Sequence, residues 1–310
     1  MIKGIVIKGV GGLYTVRLDS KYNDEEYVTV RGRGSFRYEK TLLLAGDRVE
    51  LEPEANGTFF CKKILERKNS LIRPPLANLD YIFIVISSKK PAPSLFIVDK
   101  MISIAEYNKI EPVIVISKSD LDSEYSEEIY SIYQKSGFKT FITSSLEHKG
   151  TGPLSEFLKE ITKNECPICA FAGASGAGKS TLMNELFPGL DLQTGNLSEK
   201  IERGKNTTRH TELFPLSELL GEGYNGYLAD TPGFSLLDFE RFDFFGLEDL
   251  FDTFRDFVDV RGECKYTKCS HTKEDGCQII ALVKEGKIEK SRHESYCELY
   301  TTLKNKPKWK

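Results

Sequence analysis

The chain has 310 residues, 40% of them hydrophobic and 29% charged, a globular composition too apolar for disorder. No apolar run approaches the roughly 18–20 residues that span a bilayer, and Met1–Gly12 lacks the features of a secretion signal, so a cytoplasmic chain with no membrane partner is expected. The net charge of −3 combines an excess of four basic side chains over residues 1–75, five over 261–310 and twelve acidic ones over 76–260; this is either ordinary solvated surface or two basic ends suited to an anionic partner such as RNA.

Residues 1–70 read as short strands and turns. Gly4–Lys8, Leu13–Leu18, Tyr27–Arg31, Asp47–Leu51 and Thr58–Ile64 favour β structure, with Gly11-Gly12, Asn23-Asp24, Gly46 and Asn56-Gly57 between them. Five such strands fit an OB-fold barrel, and an SH3-like barrel would look similar. Arg31, Arg33, Phe36, Arg37 and Tyr38 interleave basic and aromatic side chains, which suits either RNA contact or a barrel edge protected from aggregation. Arg73-Pro74-Pro75 is a stiff junction.

Beyond it the pattern changes. Tyr81–Ser87, Pro112–Ser117, Phe138–Thr143 and Cys166–Gly173 are continuous apolar runs, as expected for strands buried on both faces of a parallel sheet. Helices are expected over Pro93–Asn108, Ser123–Ser136 and Pro153–Thr162, giving an α/β domain. Another strand is expected over Tyr224–Asp230. After Asp238 the chain reads as helical, then cysteine-containing, then helical again. The expected domains are 1–70, 71–238 and 239–310.

Gly173-Ala174-Ser175-Gly176-Ala177-Gly178-Lys179-Ser180 matches the phosphate-loop pattern, between a buried strand and a helix that opens at Lys179 and carries Thr181. Its backbone N–H groups would cradle phosphates, Lys179 would bridge the β- and γ-phosphates and the Ser180 hydroxyl would ligate Mg²⁺. Asp230-Thr231-Pro232-Gly233 ends the later strand; Asp230 would hold Mg²⁺ through water, and the Gly233 N–H would sense the γ-phosphate. Ser117-Lys118-Ser119-Asp120 resembles the base-reading N-K-x-D motif of GTPases. Asp120 would accept guanine N1–H and N2–H₂, donors that adenine lacks. Ser144-Ser145 resembles the loop that contacts guanine O6. In ordinary GTPases the phosphate loop precedes the base motif. Here it follows, so the domain is circularly permuted.

Cys264-x4-Cys269-x-His271-x5-Cys277 offers three thiols and an imidazole, a set suited to one structural, tetrahedral Zn²⁺. Cys166 and Cys169 read as small buried side chains of the strand before the phosphate loop, Cys61 and Cys297 have no evident role, and His148 and His293 read as surface residues.

With these motifs in this order, the chain resembles the RsgA family (also called YjeQ or YloQ), circularly permuted GTPases of bacterial small-subunit assembly. The resemblance runs from the barrel through Arg203–Arg209 to the Cys/His segment. It implies an OB-fold, a GTPase domain and a mainly helical zinc-binding domain. It also implies GTP hydrolysis to GDP stimulated by the small ribosomal subunit, contact with its RNA, and action as a monomer in late maturation. Three positions depart from the expected patterns. Ser117 replaces the usual Asn. Asn206 stands where the family's G-R-G-x-H-T-T pattern has its proposed catalytic His, and Phe234 stands where many GTPases have Gln. An Asn amide orients water but takes no proton at neutral pH, so slow intrinsic hydrolysis is expected. Either Thr207 or Thr208 is the switch threonine. The rival readings are an ATP-dependent enzyme using the same phosphate loop, and a GTP-binding RNA-binding switch with little or no hydrolysis.

Overall fold

The computed structural model describes residues 2–31, 42–54, 58–91, 93–163, 165–190, 211–230 and 244–306. In chain order these form β1 (Ile2–Val10), β2 (Leu13–Tyr22), β3 (Glu25–Arg31), β4 (Arg48–Pro53), β5 (Phe59–Ile64), β6 (Ser70–Leu71), β7 (Leu76–Ala77) and β8 (Tyr81–Ser87). Then come α1 (Leu95–Tyr107), β9 (Glu111–Ser117), α2 (Ser123–Lys135), β10 (Lys139–Ile142), α3 (Thr151–Lys163), β11 (Ile168–Ala172) and α4 (Lys179–Leu186). The remaining elements are β12 (Glu212–Pro215), α5 (Leu216–Leu220), β13 (Tyr227–Asp230), α6 (Arg255–Val258), α7 (Gln278–Lys284) and α8 (Lys290–Asn305). They divide into two units, one of residues 1–81, 156–171 and 183–234, the other of 82–155, 172–182 and 235–310.

The first unit holds a closed barrel of strand order β1-β2-β3-β5-β4, with β1 pairing β4. The β3–β5 contact is parallel (Val30↔Phe59), so of the two barrels the sequence allowed, this is the OB type. Alternation sends Val6, Val16, Leu18, Val28, Val30, Val49, Leu51 and Phe59 inward, each contributing about 1.5–3 kcal/mol of hydrophobic burial. Asn23 and Asp24, both at positive φ (49° and 65°), make the two-residue turn whose twist suits the β2–β3 hairpin. The junction after the barrel is fixed by hydrogen bonds. Buried Asp47 accepts Arg67 Nε at 2.6 Å and the Leu44 N–H at 2.7 Å, while Asn78 accepts the Lys68 N–H and donates to Gly46 O. In the same unit β11 and β13 are parallel, and β12 lies antiparallel to β13 with Glu212 opposite Asp230. Lys8 of β1 pairs with Glu212 at 2.7 Å, and Tyr27 of β3 donates to Glu218 at 2.7 Å.

The second unit holds three strands in the order β10-β9-β8, with β9 and β10 parallel. Ser94 caps α1 and Asp122 caps α2 through side-chain oxygens that accept backbone N–H groups. The C-terminal helices pack around Phe254, Phe257, Tyr296 and Leu299. Arg292 of α8 is fully buried. It donates to Asp99 of α1 at 2.6 Å and to Asp256 of α6 at 2.8 Å, with its guanidinium 4.5 Å from the Phe254 ring centroid.

Two sequence readings change. Cys166 is exposed, because β11 begins only at Ile168; Cys169 is buried as expected. His293 is half-buried, with Nε2 2.7 Å from His271 O. β12 was not foreseen: four residues ending in proline carry no clear period. No helix among the described residues is long and apolar enough to cross a membrane.

Candidate nucleotide site and Cys/His cluster

The phosphate loop lies between β11 and α4, in the second unit from Ala172 onward. Gly173 has φ 137°, and a Cβ there would sit 2.1 Å from Val85 O, so no other residue fits. Ala174, Ser175, Gly176 and Thr181 are exposed; Gly178, Lys179 and Ser180 are half-buried, and Ala177 is buried. Lys179 Nζ donates to Gly173 O at 2.7 Å and to Ala174 O at 2.9 Å. Its ammonium thus lies folded over the loop, and burial lowers its pKa.

The segment 117–120 is tied directly to this loop. Ser117 Oγ lies 2.5 Å from Ala177 O and 3.2 Å from Ile86 O. Lys118 is left-handed (φ 57°, ψ 38°), and its Nζ donates to Gly176 O at 2.7 Å and to Lys90 O at 2.8 Å. The Ser119 N–H donates to Thr143 O at 3.1 Å. Asp120 Oδ1 accepts the Ser144 hydroxyl at 2.5 Å. Ser144 is fully buried and Ser145 half-buried, in a loop closed by paired Ser144 and Lys149 backbone bonds. Segment 117–120, the 144–149 loop and the phosphate loop are therefore gathered within one unit. Asp230 ends β13 in the other unit, where burial and then the charge of Glu212 raise its pKa. Asn206, Thr207, Thr208, His210, Gly233 and Phe234 lie outside the described residues, as do Arg33, Phe36, Arg37 and Tyr38.

Cys264, Cys269, His271 and Cys277 place their donor atoms within 4.8 Å of one another. Cys264 Sγ and Cys277 Sγ each lie 3.5 Å from His271 Nδ1, and 3.9 Å from each other. Tetrahedral Zn²⁺, with Zn–S of about 2.3 Å and Zn–N of about 2.0 Å, requires S···N near 3.5 Å and S···S near 3.8 Å. The donor set fits that ion. Burial pushes the Cys269 thiol up to about 12 and raises Cys277 too; a bound cation would reverse this by favouring thiolates. Glu274 accepts N–H bonds from Ser270, Thr272 and Lys273. Burial opposes its charge, but the Ser270 hydroxyl and the backbone N–H groups of Ser270 and Lys273 hold its carboxyl at about 2. His293 was missed by the sequence reading because a helical histidine carries no signal of what it faces. Glu274 was missed because its partners are backbone groups.

The sequence matches the RsgA GTPase family model over residues 64–240 and the RsgA N-terminal domain model over residues 3–59. It is 37% identical over 308 residues to a protein named small ribosomal subunit biogenesis GTPase RsgA from Caldanaerobacter subterraneus subsp. tengcongensis, covering 99% of this chain and 97% of that one. The crystal structure of YjeQ from Thermotoga maritima superposes with a TM-score of 0.80 at 31% identity, covering 99% of both chains. That of YloQ, described as a circularly permuted GTPase, gives 0.76 at 32% identity over 100% of this chain and 98% of the other. The chain belongs to the RsgA GTPase family.

Proposed function

We propose that this protein binds the small ribosomal subunit, assists its late maturation and hydrolyses GTP to GDP and phosphate as a conformational switch. The observation that supports this best is the direct bonding of loop 117–120 to the phosphate loop, with Asp120 oriented by Ser144. A carboxylate so held accepts guanine N1–H and N2–H₂, and adenine has no donor at either position. On nucleotide binding, Lys179 exchanges its two backbone carbonyls for phosphate oxygens, and the N–H groups of 173–181 enclose the phosphates. Ser180 and Asp230 would hold Mg²⁺, which screens phosphate charge. Thr207 or Thr208, with Gly233, would sense the γ-phosphate, and Asn206 would orient water.

In this reading the barrel occupies residues 1–70, the permuted GTPase domain 71–238 and the zinc-binding domain 239–310. One structural Zn²⁺ per chain is held by Cys264, Cys269, His271 and Cys277. The protein acts as a cytoplasmic monomer, with its basic ends on ribosomal RNA.

The test is GTP hydrolysis at fixed Mg²⁺ with and without purified small subunits. A large stimulation is expected, together with faster intrinsic turnover in Asn206→His. Tight GTP binding with no turnover in either condition would leave a binding switch without hydrolysis.

A further inference from the structure

The turn that follows β8 takes no part in any motif read above, yet it reaches into the base-reading loop. Ser88 is 1% exposed. Its N–H donates to Ser117 O at 3.0 Å, and its hydroxyl donates to Lys118 O at 2.5 Å. One small residue thus holds two consecutive carbonyls of the segment that carries Asp120. The neighbouring Ser87 hydroxyl donates to Lys90 O at 2.8 Å, the carbonyl that also receives Lys118 Nζ.

Lys118 needs such a hold. Its left-handed backbone is disfavoured for a residue with a Cβ, and it persists only where the surroundings fix it. The peptide between Lys118 and Ser119 is pinned at both ends: its C=O by the Ser88 hydroxyl and, at 3.0 Å, by the Leu121 N–H, and its own N–H by Thr143 O. Asp120 follows immediately, so the orientation of this peptide sets where its carboxylate starts. Ser144 then fixes where the carboxylate points.

We propose that Ser88 is a positioning residue for guanine recognition, which locks the left-handed Lys118 peptide and thereby aims Asp120. This rests on the guanine reading of the site. Without the hydroxyl, Lys118 O keeps only the Leu121 N–H, and the peptide loses the one anchor that comes from the β8 turn.

The test is calorimetric titration of the full-length protein with Mg²⁺-GDP and Mg²⁺-IDP, whose base lacks the exocyclic amino group. The parent should prefer GDP. Ser88→Ala should lower GDP affinity by about tenfold, the effect of roughly one hydrogen bond, and narrow the preference over IDP. Turnover at saturating GTP should stay within about twofold. Ser88→Cys, which keeps volume with a weak donor, should fall between and guards against a variant that fails to fold. Ser103→Ala is the control: this serine of α1 is equally buried, and its hydroxyl has no partner among the described residues. It should change neither affinity nor preference. Parent-like binding of both nucleotides by the two Ser88 variants would overturn the proposal. A parent that binds GDP and IDP alike would overturn the guanine reading itself, and this inference with it.

Discussion

In the described loops 117–120 and 173–181, each of the three charged side chains already has a protein partner. Lys179 sits on Gly173 O and Ala174 O, Lys118 on Gly176 O and Lys90 O, and Asp120 on the Ser144 hydroxyl. The Cys/His loop is built differently. Its three thiols and one imidazole face each other, and among them only weak sulfur contacts are available. Ligand binding at the first site therefore exchanges hydrogen bonds, whereas at the second it supplies the interaction that organises the loop. Removing ligand should relax the first and unfold the second.

The largest expected effect breaks that comparison if it is absent. Structural zinc sites contribute on the order of 10 kcal/mol of apparent folding free energy in small zinc domains. Cys269→Ser or strong chelation should abolish zinc content and hydrogen-exchange protection over residues 259–277, while nucleotide withdrawal leaves protection of β8–β10 near its starting level. Unchanged protection after metal loss would show that the loop holds itself. Next comes the polar cluster that ties α8 to α1 and α6. Arg292→Ala leaves the Asp99 and Asp256 carboxylates without their cation, with Arg292 and Asp99 each 1% exposed as side chains. Breaking one partner of such a buried set costs about 3–5 kcal/mol, and urea unfolding should read it. At the nucleotide site, Lys179→Ala should lower GTP affinity by roughly a hundredfold by removing a charge-assisted bond to phosphate, with little change in melting temperature. A large melting loss would mean that Lys179 holds the empty loop together, against the comparison.

The parts legible in the sequence were those where chemistry demands a spacing. The phosphate loop needs glycine where the backbone passes 2.1 Å from where a Cβ would stand, and a site for a soft metal ion needs soft donors a few residues apart, as in the Cys/His cluster. Short β-favouring runs parted by turn residues exposed the barrel, and the YIFIVIS run exposed β8. What stayed hidden depends on distant segments. Ser88 looks like any serine after a strand until β9 places Lys118 O beside it. Arg292 looks like a surface charge on a largely polar helix, and only Asp99, 193 positions away, makes it a buried one. β12 gains its pattern from β13, not from its own four residues.

The smallest effect sharpens the comparison within the Cys/His loop itself. Glu274 gathers the N–H groups of Ser270, Thr272 and Lys273 around one carboxylate, so part of this loop is organised by the protein alone. Its folded pKa of about 2 lies below the ordinary 4.5. A carboxyl depressed by folding stabilises the native state above its unfolded pKa, and that contribution fades as pH falls through the window between the two values. The residue is partly solvated, so the gain is modest. Glu274→Gln should therefore melt a few degrees below the parent at neutral pH, and the gap should narrow steadily between about pH 4.5 and pH 2. Loss of zinc at low pH would unfold this loop in both proteins and close the gap for another reason, so the narrowing is read only where metal analysis shows both proteins still zinc-loaded. A gap that stays constant with pH would mean that the amide's lost acceptor geometry, and not the carboxylate's charge, is what the loop requires.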